Sequence, residues 1–236
     1  MIKRKIALVT GSTSGIGLGI ATTLAKNNHD IILNGFGSKK LIISLIKKIN
    51  SYGVNCIYIN ADVSNPNQVK KMILKTIQQF HSLDILINNA GIQHIAKVEK
   101  YSIEKWNQII STNLSSVFYC IKYTLPYMKK KKWGRIINIA SVHGLVASTN
   151  KAAYVVAKHG VVGLTKAVAL ETAETNITCN AICPGWVYTP LVEAQAIKLS
   201  KKLNKSIDYI KKQLLKEKQP SKKSIEVDDI GSLANY

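Results

Sequence analysis

Short apolar runs alternate along the chain with longer amphipathic stretches. The runs predict strands near residues 6–9, 30–34, 55–60, 84–88, 134–140 and 177–182. Between them, apolar residues recur at helical spacing, which predicts a helix after each strand. Strands and helices that alternate in this way form an α/β, doubly wound parallel sheet flanked by helices. Ligands of such sheets bind at the carboxyl ends of the strands, so the chemistry is expected there.

The length of the chain fits one such unit. Its 236 residues, 46% of them hydrophobic, can bury one sizeable core and are few for two domains. The sequence contains no internal repeat and no linker, so we expect a single domain over residues 1–236. No apolar stretch reaches the ~20 residues of a membrane span, and the N-terminal residues lead directly into a strand. We therefore expect a cytoplasmic protein that does not contact a membrane.

The formal net charge is +20, which raises the hypothesis of nucleic-acid binding. Arg4 and Arg135 are the only arginines, however, and the lysines are spread over the whole chain. The densest lysine runs contain few aromatic residues and match no nucleic-acid motif. We interpret the lysines as solvated surface and expect no specific nucleic-acid partner, with weak polyanion binding as the alternative.

The four cysteines point to structural thiols. Cys56, Cys120, Cys179 and Cys183 have no Cys-x-x-Cys spacing and each lies in or beside an apolar segment. Buried, reduced thiols are therefore expected, and a metal site is not.

A glycine-rich turn follows the first predicted strand. The run Thr10-Gly11-Ser-Thr-Ser-Gly15-Ile-Gly17 leads into a helical pattern that reaches Asn27. A strand, a glycine turn and a helix in this order aim backbone N–H groups at a phosphate. The turn predicts a nucleotide site, with a simple tight turn as the alternative.

A candidate acid–base pair lies later in the chain. Tyr154 and Lys158 are four residues apart in a predicted helix, and Ser141 precedes Tyr154 by thirteen residues. Residues at this spacing share a helix face, so the ammonium group is expected to depress the pKa of the phenol. A phenol that titrates nearer neutral pH can act as a general acid and base.

These motifs, with others in the same order, resemble the short-chain dehydrogenase/reductase family over nearly the whole chain. The ordered matches are the glycine turn, Asp62-Val63, Asn88-Asn89-Ala90-Gly91, Asn113, Ser141, Tyr154, Lys158 and Pro184-Gly185. The resemblance implies a Rossmann-type fold and hydride transfer to or from a nicotinamide dinucleotide. The runs around Gln93, His143 and Lys151, and the stretch 178–192, resemble the D-3-hydroxybutyrate dehydrogenases within this family.

The family resemblance implies a role for each matching residue. Tyr154 is the expected general acid/base, Lys158 lowers its pKa, Ser141 binds the substrate oxygen and Asn113 holds a water that links Lys158 to solvent. The expected cofactor residues are Gly11, Thr13, Gly15, Ile16, Gly17, Phe36, Asp62, Val63, Asn89, Gly91, Tyr154, Lys158, Pro184, Gly185, Val187 and Thr189.

The expected cofactor is NAD. The second predicted strand ends in Asn34-Gly-Phe36-Gly, as in the 3-hydroxybutyrate dehydrogenases, which use NAD. An acidic residue commonly stands where this chain has Ser38, and Lys39 and Lys40 follow, so NADP remains the alternative.

The resemblance also implies a pocket for a small 3-hydroxy acid. The expected substrate residues are Gln93, Ser141, His143, Lys151, Tyr154, Trp186 and Gln195. Helices at about 190–220 are expected to form a lid over this pocket.

The last part of the chain departs from the family, whose members add a seventh strand after the segment 225–234. We therefore expect a sheet that lacks this strand, and an altered form of the family's homotetramer. Three functions follow: oxidation of D-3-hydroxybutyrate with NAD, reduction of a 3-oxoacyl group with NADPH, or nucleotide binding by an inactive product.

Overall fold

Six parallel strands form the centre of the molecule. The computed structural model describes residues 4–219 and 221–236, apart from the side chains at positions 191, 195, 217 and 218. The strands are β1 Ile6–Val9, β2 Asp30–Leu33, β3 Cys56–Tyr58, β4 Ile85–Asn88, β5 Gly134–Ile139 and β6 Ile177–Ile182. The helices are α1 Gly15–Lys26, α2 Lys39–Asn50, α3 Pro66–Phe80, α4 Ile103–Ile110, α5 Ser116–Lys131, α6 Ala152–Glu171, α7 Pro190–Leu203, α8 Ile207–Lys218 and α9 Val227–Asn235.

The strand order β3-β2-β1-β4-β5-β6 makes the sheet doubly wound. The chain builds outward from β1 to β3 and then crosses back to place β4 on the other side of β1. This reversal opens a crevice at the carboxyl ends of β1 and β4, which is where ligands of such sheets bind. The predicted architecture is confirmed, and the described residues contribute no seventh strand to the sheet.

Each face of the sheet has its own hydrophobic core. Helices α1, α2 and α9 pack on one face, where Leu24 and Leu45 are buried among side chains from β1 and β2. Helices α3, α5 and α6 pack on the other face, with Met72 and Ile121 buried there. Strands covered on both sides are apolar at nearly every position, and this explains why the sequence shows them as continuous runs.

Strands β2 and β3 end earlier than the sequence predicts because a side chain takes over the backbone hydrogen bonding there. Asn34 is 1% exposed and follows β2, which was expected to include it. Its side-chain amide donates to the carbonyl oxygens of Ile59 (3.1 Å) and Ala61 (2.9 Å). The amide thus joins the ends of β2 and β3 and spaces the two chain segments for the loops that follow.

Helix α6 is the only helix of the described residues that is long and apolar enough to cross a membrane. A core helix of a soluble protein passes the same test. The helix packs against β6 and carries Tyr154 and Lys158, so we interpret it as a core helix.

Candidate active site

The glycine turn lies at the carboxyl end of β1 and is packed too closely for side chains. Gly11 has φ +61°, and a Cβ there would lie 2.8 Å from the Cα of Ala90. A Cβ on Gly17 would overlap the side chain of Asn89 and the carbonyl oxygen of Gly11. The glycines therefore let the N-terminus of helix α1 lie close to the glycine turn and to the start of the loop after β4.

The N-terminus of α1 is open to an anion. Ser14 precedes the helix but makes no side-chain cap, and the first turn contains no acidic residue. The Thr13 hydroxyl donates to the carbonyl oxygen of Phe36 (2.8 Å) and so connects the turn to the loop after β2. Phe36 is 75% exposed beside this opening. Uncapped N–H groups, a glycine cradle and the helix dipole fit the pyrophosphate of a dinucleotide.

The loop after β4 is held against the glycine turn. The Asn89 side chain donates to the carbonyl oxygens of Thr10 (2.9 Å) and Gly11 (3.0 Å), and the Thr10 hydroxyl accepts from the backbone N–H of Asn89 (2.9 Å). Gly91 is exposed just beyond. These contacts place Asn89 and Gly91 next to the predicted nucleotide site.

Asp62 and Val63 follow β3 on the same side of the sheet. One carboxylate oxygen of Asp62 accepts from the backbone N–H (2.9 Å) and the hydroxyl (2.7 Å) of Ser64, which orients the carboxylate. Val63 is 6% exposed and belongs to the core. Val63 therefore supports this wall of the site by packing.

The segment after β6 forms the opposite wall. The carbonyl oxygen of Pro184 accepts from the backbone N–H of Val142 (2.9 Å), and Val187 is buried. A Cβ on Gly15 would lie 3.7 Å from the Thr189 side chain, so this wall closes on the glycine turn. Thr189 also caps α7 by accepting from Val192 N–H. The expected cofactor residues thus surround one crevice.

Ser141, Tyr154 and Lys158 meet at the carboxyl end of β5. Ser141 is 8% exposed and its side chain is hydrogen-bonded to Tyr154. The Lys158 Nζ lies 5.7 Å from the centre of the Tyr154 ring and donates to the carbonyl oxygen of Ile139 (2.7 Å). The structure therefore brings together the acid–base candidates that the sequence separates.

The prediction that the pKa of Tyr154 is depressed is wrong in direction. Burial raises the pKa of Tyr154, and the hydrogen bond with Ser141 lowers it by less. Burial also lowers the pKa of Lys158 from 10.5 to about 8, against an opposing contribution from nearby Cys183. Desolvation disfavours the charged form of both groups. For Tyr154, this effect is larger than the decrease in pKa that the ammonium group was expected to cause.

Asn113 lies in a π-helical turn, Ser111–Ser115, between α4 and α5. The side chain is fully buried, accepts from the backbone N–H of Ile92 (2.9 Å) and donates to its carbonyl oxygen (2.8 Å). These two bonds hold the loop after β4 at the site. The sequence predicted the position of Asn113 but neither the π turn nor this pairing.

Several of the expected substrate residues lie in the loops near Tyr154. The His143 ring meets the Tyr154 ring edge-on, with centroids 6.0 Å apart, and the backbone N–H of His143 donates to Ser141 Oγ (3.2 Å). Gln93 and Lys151 lie in two loops that the backbone pair Ala96 N–H to Asn150 O connects (3.0 Å). The half-buried Trp186 follows β6, and the side chain of Gln195 lies outside the described residues.

Sequence reasoning missed three partners at the site. Lys158 is oriented by a backbone carbonyl, which no residue type could indicate. Cys183 is half-buried near Lys158, whereas the other three cysteines are buried as expected. Gln219 accepts from the backbone N–H of Trp186 (2.9 Å), a contact between residues 33 positions apart in the chain.

Among the described residues, no three His, Cys, Asp or Glu side chains come together as metal ligands.

Three cysteines are structural thiols. Burial raises the pKa of Cys56 and Cys120 to about 12 and that of Cys179 to about 11, which is typical of inert structural thiols.

Comparison with known proteins agrees with this geometry. A family model described as short chain dehydrogenase matches residues 5–199. A D-beta-hydroxybutyrate dehydrogenase of Cupriavidus necator is 50% identical over 236 residues, which are 100% of this chain and 91% of that protein. A D-beta-hydroxybutyrate dehydrogenase of Rhizobium meliloti is 47% identical over 98% of this chain and 90% of its own.

A solved structure shows the same fold. A variant of the actinorhodin polyketide ketoreductase with NADPH superposes with a TM-score of 0.92 at 32% identity, covering 99% of this chain and 89% of the other. The matching family model, the full-length relatives and the arrangement of Ser141, Tyr154 and Lys158 agree: the chain belongs to the short-chain dehydrogenase family of oxidoreductases.

Proposed function

We propose that the protein interconverts D-3-hydroxybutyrate and acetoacetate with NAD as the hydride carrier. The observation that carries the proposal is the Tyr154 phenol, hydrogen-bonded to Ser141 and flanked by the Lys158 ammonium and the His143 ring at the mouth of one crevice. The 50% and 47% identity of this chain to two D-beta-hydroxybutyrate dehydrogenases supports the choice of substrate.

The residues of the site perform the proton chemistry. In the oxidative direction, the Tyr154 phenolate takes the proton of the substrate hydroxyl. Ser141 Oγ donates a hydrogen bond to the substrate oxygen and holds it at Tyr154. A bound nicotinamide would supply the acceptor for the hydride of the substrate carbon that carries the hydroxyl. In the reductive direction, the Tyr154 phenol returns the proton to the developing alkoxide.

Lys158 and Asn113 support this proton transfer. The ammonium group of Lys158 is positioned by the Ile139 carbonyl and stabilises the phenolate when that forms. The π-helical turn at Asn113 interrupts the regular helical hydrogen bonding between α4 and α5. We propose that the backbone at this turn binds a water molecule, which exchanges protons between Lys158 and solvent.

Three side chains are assigned to the substrate carboxylate. Lys151 and His143 supply positive charge or hydrogen-bond donors, and Gln93 supplies an amide donor from the loop after β4. We assign Trp186 and Gln195 to the part of the pocket that faces the lid. Helix α7 begins directly after Thr189, so the first lid helix starts at the cofactor wall.

NAD is proposed because the 3-hydroxybutyrate dehydrogenases share the Asn-Gly-Phe-Gly run after β2. A specific observation favours the alternative, an NADPH-dependent 3-oxoacyl reductase. Ser38 caps α2 and its neighbours Lys39 and Lys40 are exposed, so two positive charges and no carboxylate stand where a 2′-phosphate would bind.

The remaining assignments concern the protein as a whole. We propose that the 236 residues act as one cytoplasmic catalytic domain. We also propose a homo-oligomer, since Phe118 on α5 and Val156 and Leu170 on α6 are large apolar side chains exposed by 46%, 47% and 78%.

The deciding experiment is an absorbance assay for NADH formation from D-3-hydroxybutyrate, with the L-enantiomer, NADP and Tyr154→Phe as controls. We expect turnover with NAD and the D-acid, and its loss in Tyr154→Phe. Turnover of a 3-oxoacyl thioester with NADPH alone would favour the reductase. A folded protein that turns over neither substrate would contradict both proposals and leave nucleotide binding as the function.

A further inference from the structure

The two ends of the lid meet at its base. Helices α7 and α8 leave the sheet after the segment Pro184–Thr189 and return at Gln219, directly after α8. Gln219 caps α8, with its backbone N–H donating to the carbonyl oxygen of Leu215 (2.9 Å). The residue therefore stands where the lid rejoins the body of the protein.

The Gln219 side chain binds both segments of chain at this base. Its Oε1 accepts from the backbone N–H of Trp186 (2.9 Å), and its Nε2 donates to the carbonyl oxygen of Lys223 (2.9 Å). The backbone completes the junction, because Ile225 N–H donates to the Trp186 carbonyl (2.9 Å) and Val187 pairs with Ile225 in a parallel bridge. Both halves of the amide are thus in use, so its orientation is fixed.

In its hydrogen-bonded position the amide lies directly against Gly185. A Cβ at Gly185 would lie 2.8 Å from Gln219 Oε1, which is closer than real Cβ atoms approach. Gly185 also lies in the wall that faces the glycine turn. The shape of this wall and the position of the amide are therefore linked through direct contact.

We propose that Gln219 is a positioning residue that closes the base of the lid and holds Gly185–Thr189 in the shape that receives the dinucleotide. The proposal rests on the dinucleotide-dependent function above. Its consequence is that the Gln219 amide determines how often the lid opens and how tightly the dinucleotide binds. The proton transfer at Tyr154 does not involve it.

The test compares Gln219→Met, Gly185→Ala, the double variant and a control, Gln79→Met. Methionine keeps the length of glutamine and removes both hydrogen bonds, whereas alanine at 185 displaces the amide without changing it. Gln79 is exposed at the end of α3, at the opposite edge of the sheet. Trypsin cleavage at the lysines of α7 and α8 is followed by mass spectrometry without cofactor, and NADH binding by energy transfer from tryptophan.

We expect Gln219→Met to raise the rate of lid cleavage and the Kd for NADH each by about tenfold, with kcat changed much less than KM for NAD. Gly185→Ala should raise lid cleavage similarly, and the double variant no further, because both changes break one contact. Gln79→Met should match the parent protein.

Two results would overturn the proposal. Lid cleavage in Gln219→Met at the parent rate would show that the amide does not close the base. Effects of Gln219→Met and Gly185→Ala that multiply in the double variant would show that they act separately. Failure of the parent protein to bind NADH or oxidise 3-hydroxybutyrate would instead count against the proposed function, and the cleavage comparison would still decide the role of Gln219.

Discussion

Burial and the hydrogen bond with Ser141 act in opposite directions on the pKa of Tyr154. Burial raises the pKa of Tyr154 and this bond opposes the increase. Oxidation needs the phenolate, so any further rise in the pKa moves the active range to higher pH.

Replacing Ser141 should therefore change the pH profile as well as the rate. We expect Ser141→Ala to lower kcat for oxidation by about 10²–10³-fold, as for loss of an oxyanion donor. We also expect the rising limb of the pH–rate profile to shift to higher pH. Steady-state rates between neutral and alkaline pH measure both effects. Ser44→Ala, on the exposed face of α2, should leave both unchanged. An unshifted limb in Ser141→Ala would contradict the assigned effect on Tyr154.

Burial of the charged Lys158 side chain destabilises the folded protein. The folded protein lowers its pKa from 10.5 to about 8, so between these values the unfolded chain binds a proton that the folded chain does not. The free energy of unfolding should thus rise through this window, by on the order of 3 kcal/mol from this residue. Below pH 8 both states are protonated and the full penalty is present.

An apolar replacement should remove this penalty. We expect Lys158→Met to abolish turnover yet raise the free energy of unfolding at pH 7 by about 1–2 kcal/mol, because the lost penalty exceeds the cost of the unpaired Ile139 carbonyl. The gain should shrink as the pH approaches 10. Urea unfolding followed by circular dichroism at several pH values measures it. A pH-independent difference would show that the lysine does not titrate in this window.

At the residue scale, the sequence predicted which side chains meet but not their electrostatic state. Ser141, Tyr154 and Lys158 were found from spacing and order. The pKa directions depend on burial and on the carbonyl of Ile139, which are properties of the folded chain. Cys183 was expected to be buried like Cys179, but it lies where β6 opens into the crevice.

Among the elements, α1 and α9 pack at unusually close range. A Cβ on Gly19 would lie 2.9 Å from the Cβ of Val227, and one on Gly231 would overlap the Thr23 side chain. Glycine on each helix lets the backbones approach, and α9 thereby covers the apolar face of α1.

A single methyl group should disturb this packing. We expect Gly19→Ala to lower the free energy of unfolding by about 1–3 kcal/mol, because Val227 must move away. In Ser44→Ala, on the exposed face of α2, we expect a change within about 0.5 kcal/mol. Chemical denaturation of both variants tests the pair. Equal stability of the two would contradict the close packing of α9.

The elements were predictable where burial follows the sequence pattern. All six strands were found: β1, β2 and β4 are buried along their whole length, and β6 begins with alternating buried and exposed residues. The ends of β2 and β3 were not, since the side chain of Asn34 replaces ladder hydrogen bonds there. The turn at Ser111–Ser115 was missed because a π turn has the same composition as the helix around it.

For the whole molecule, the lid segment is strongly basic. The segment 190–216 contains seven lysines and two acidic residues, within a chain of net charge +20. NAD and 3-hydroxybutyrate are both anions, so this field should speed their encounter with the crevice.

The encounter should therefore weaken with salt. We expect kcat/KM to fall several-fold between about 0.01 M and about 0.15 M ionic strength, with a smaller change in kcat. Replacing Lys201 and Lys202 by glutamate should flatten this dependence, whereas the same change at Lys47 and Lys48, at the far end of α2, should affect it less. Equal slopes in the two variants would show that net charge, not the charge of the lid, is responsible.

The π turn between α4 and α5 also has a consequence for how the sequence can change. Each residue of an α-helix rotates the side-chain direction by about 100°. The extra residue in the turn therefore determines which side of α4 faces the site when α5 is held in place. Deleting one residue from Ser111–Ser115 would restore a regular helix and rotate α4 about its own axis. Asn113 and the loop it holds at Ile92 would then separate. A substitution at an exposed position of this helix is thus easily tolerated during evolution, whereas a change in its length is not.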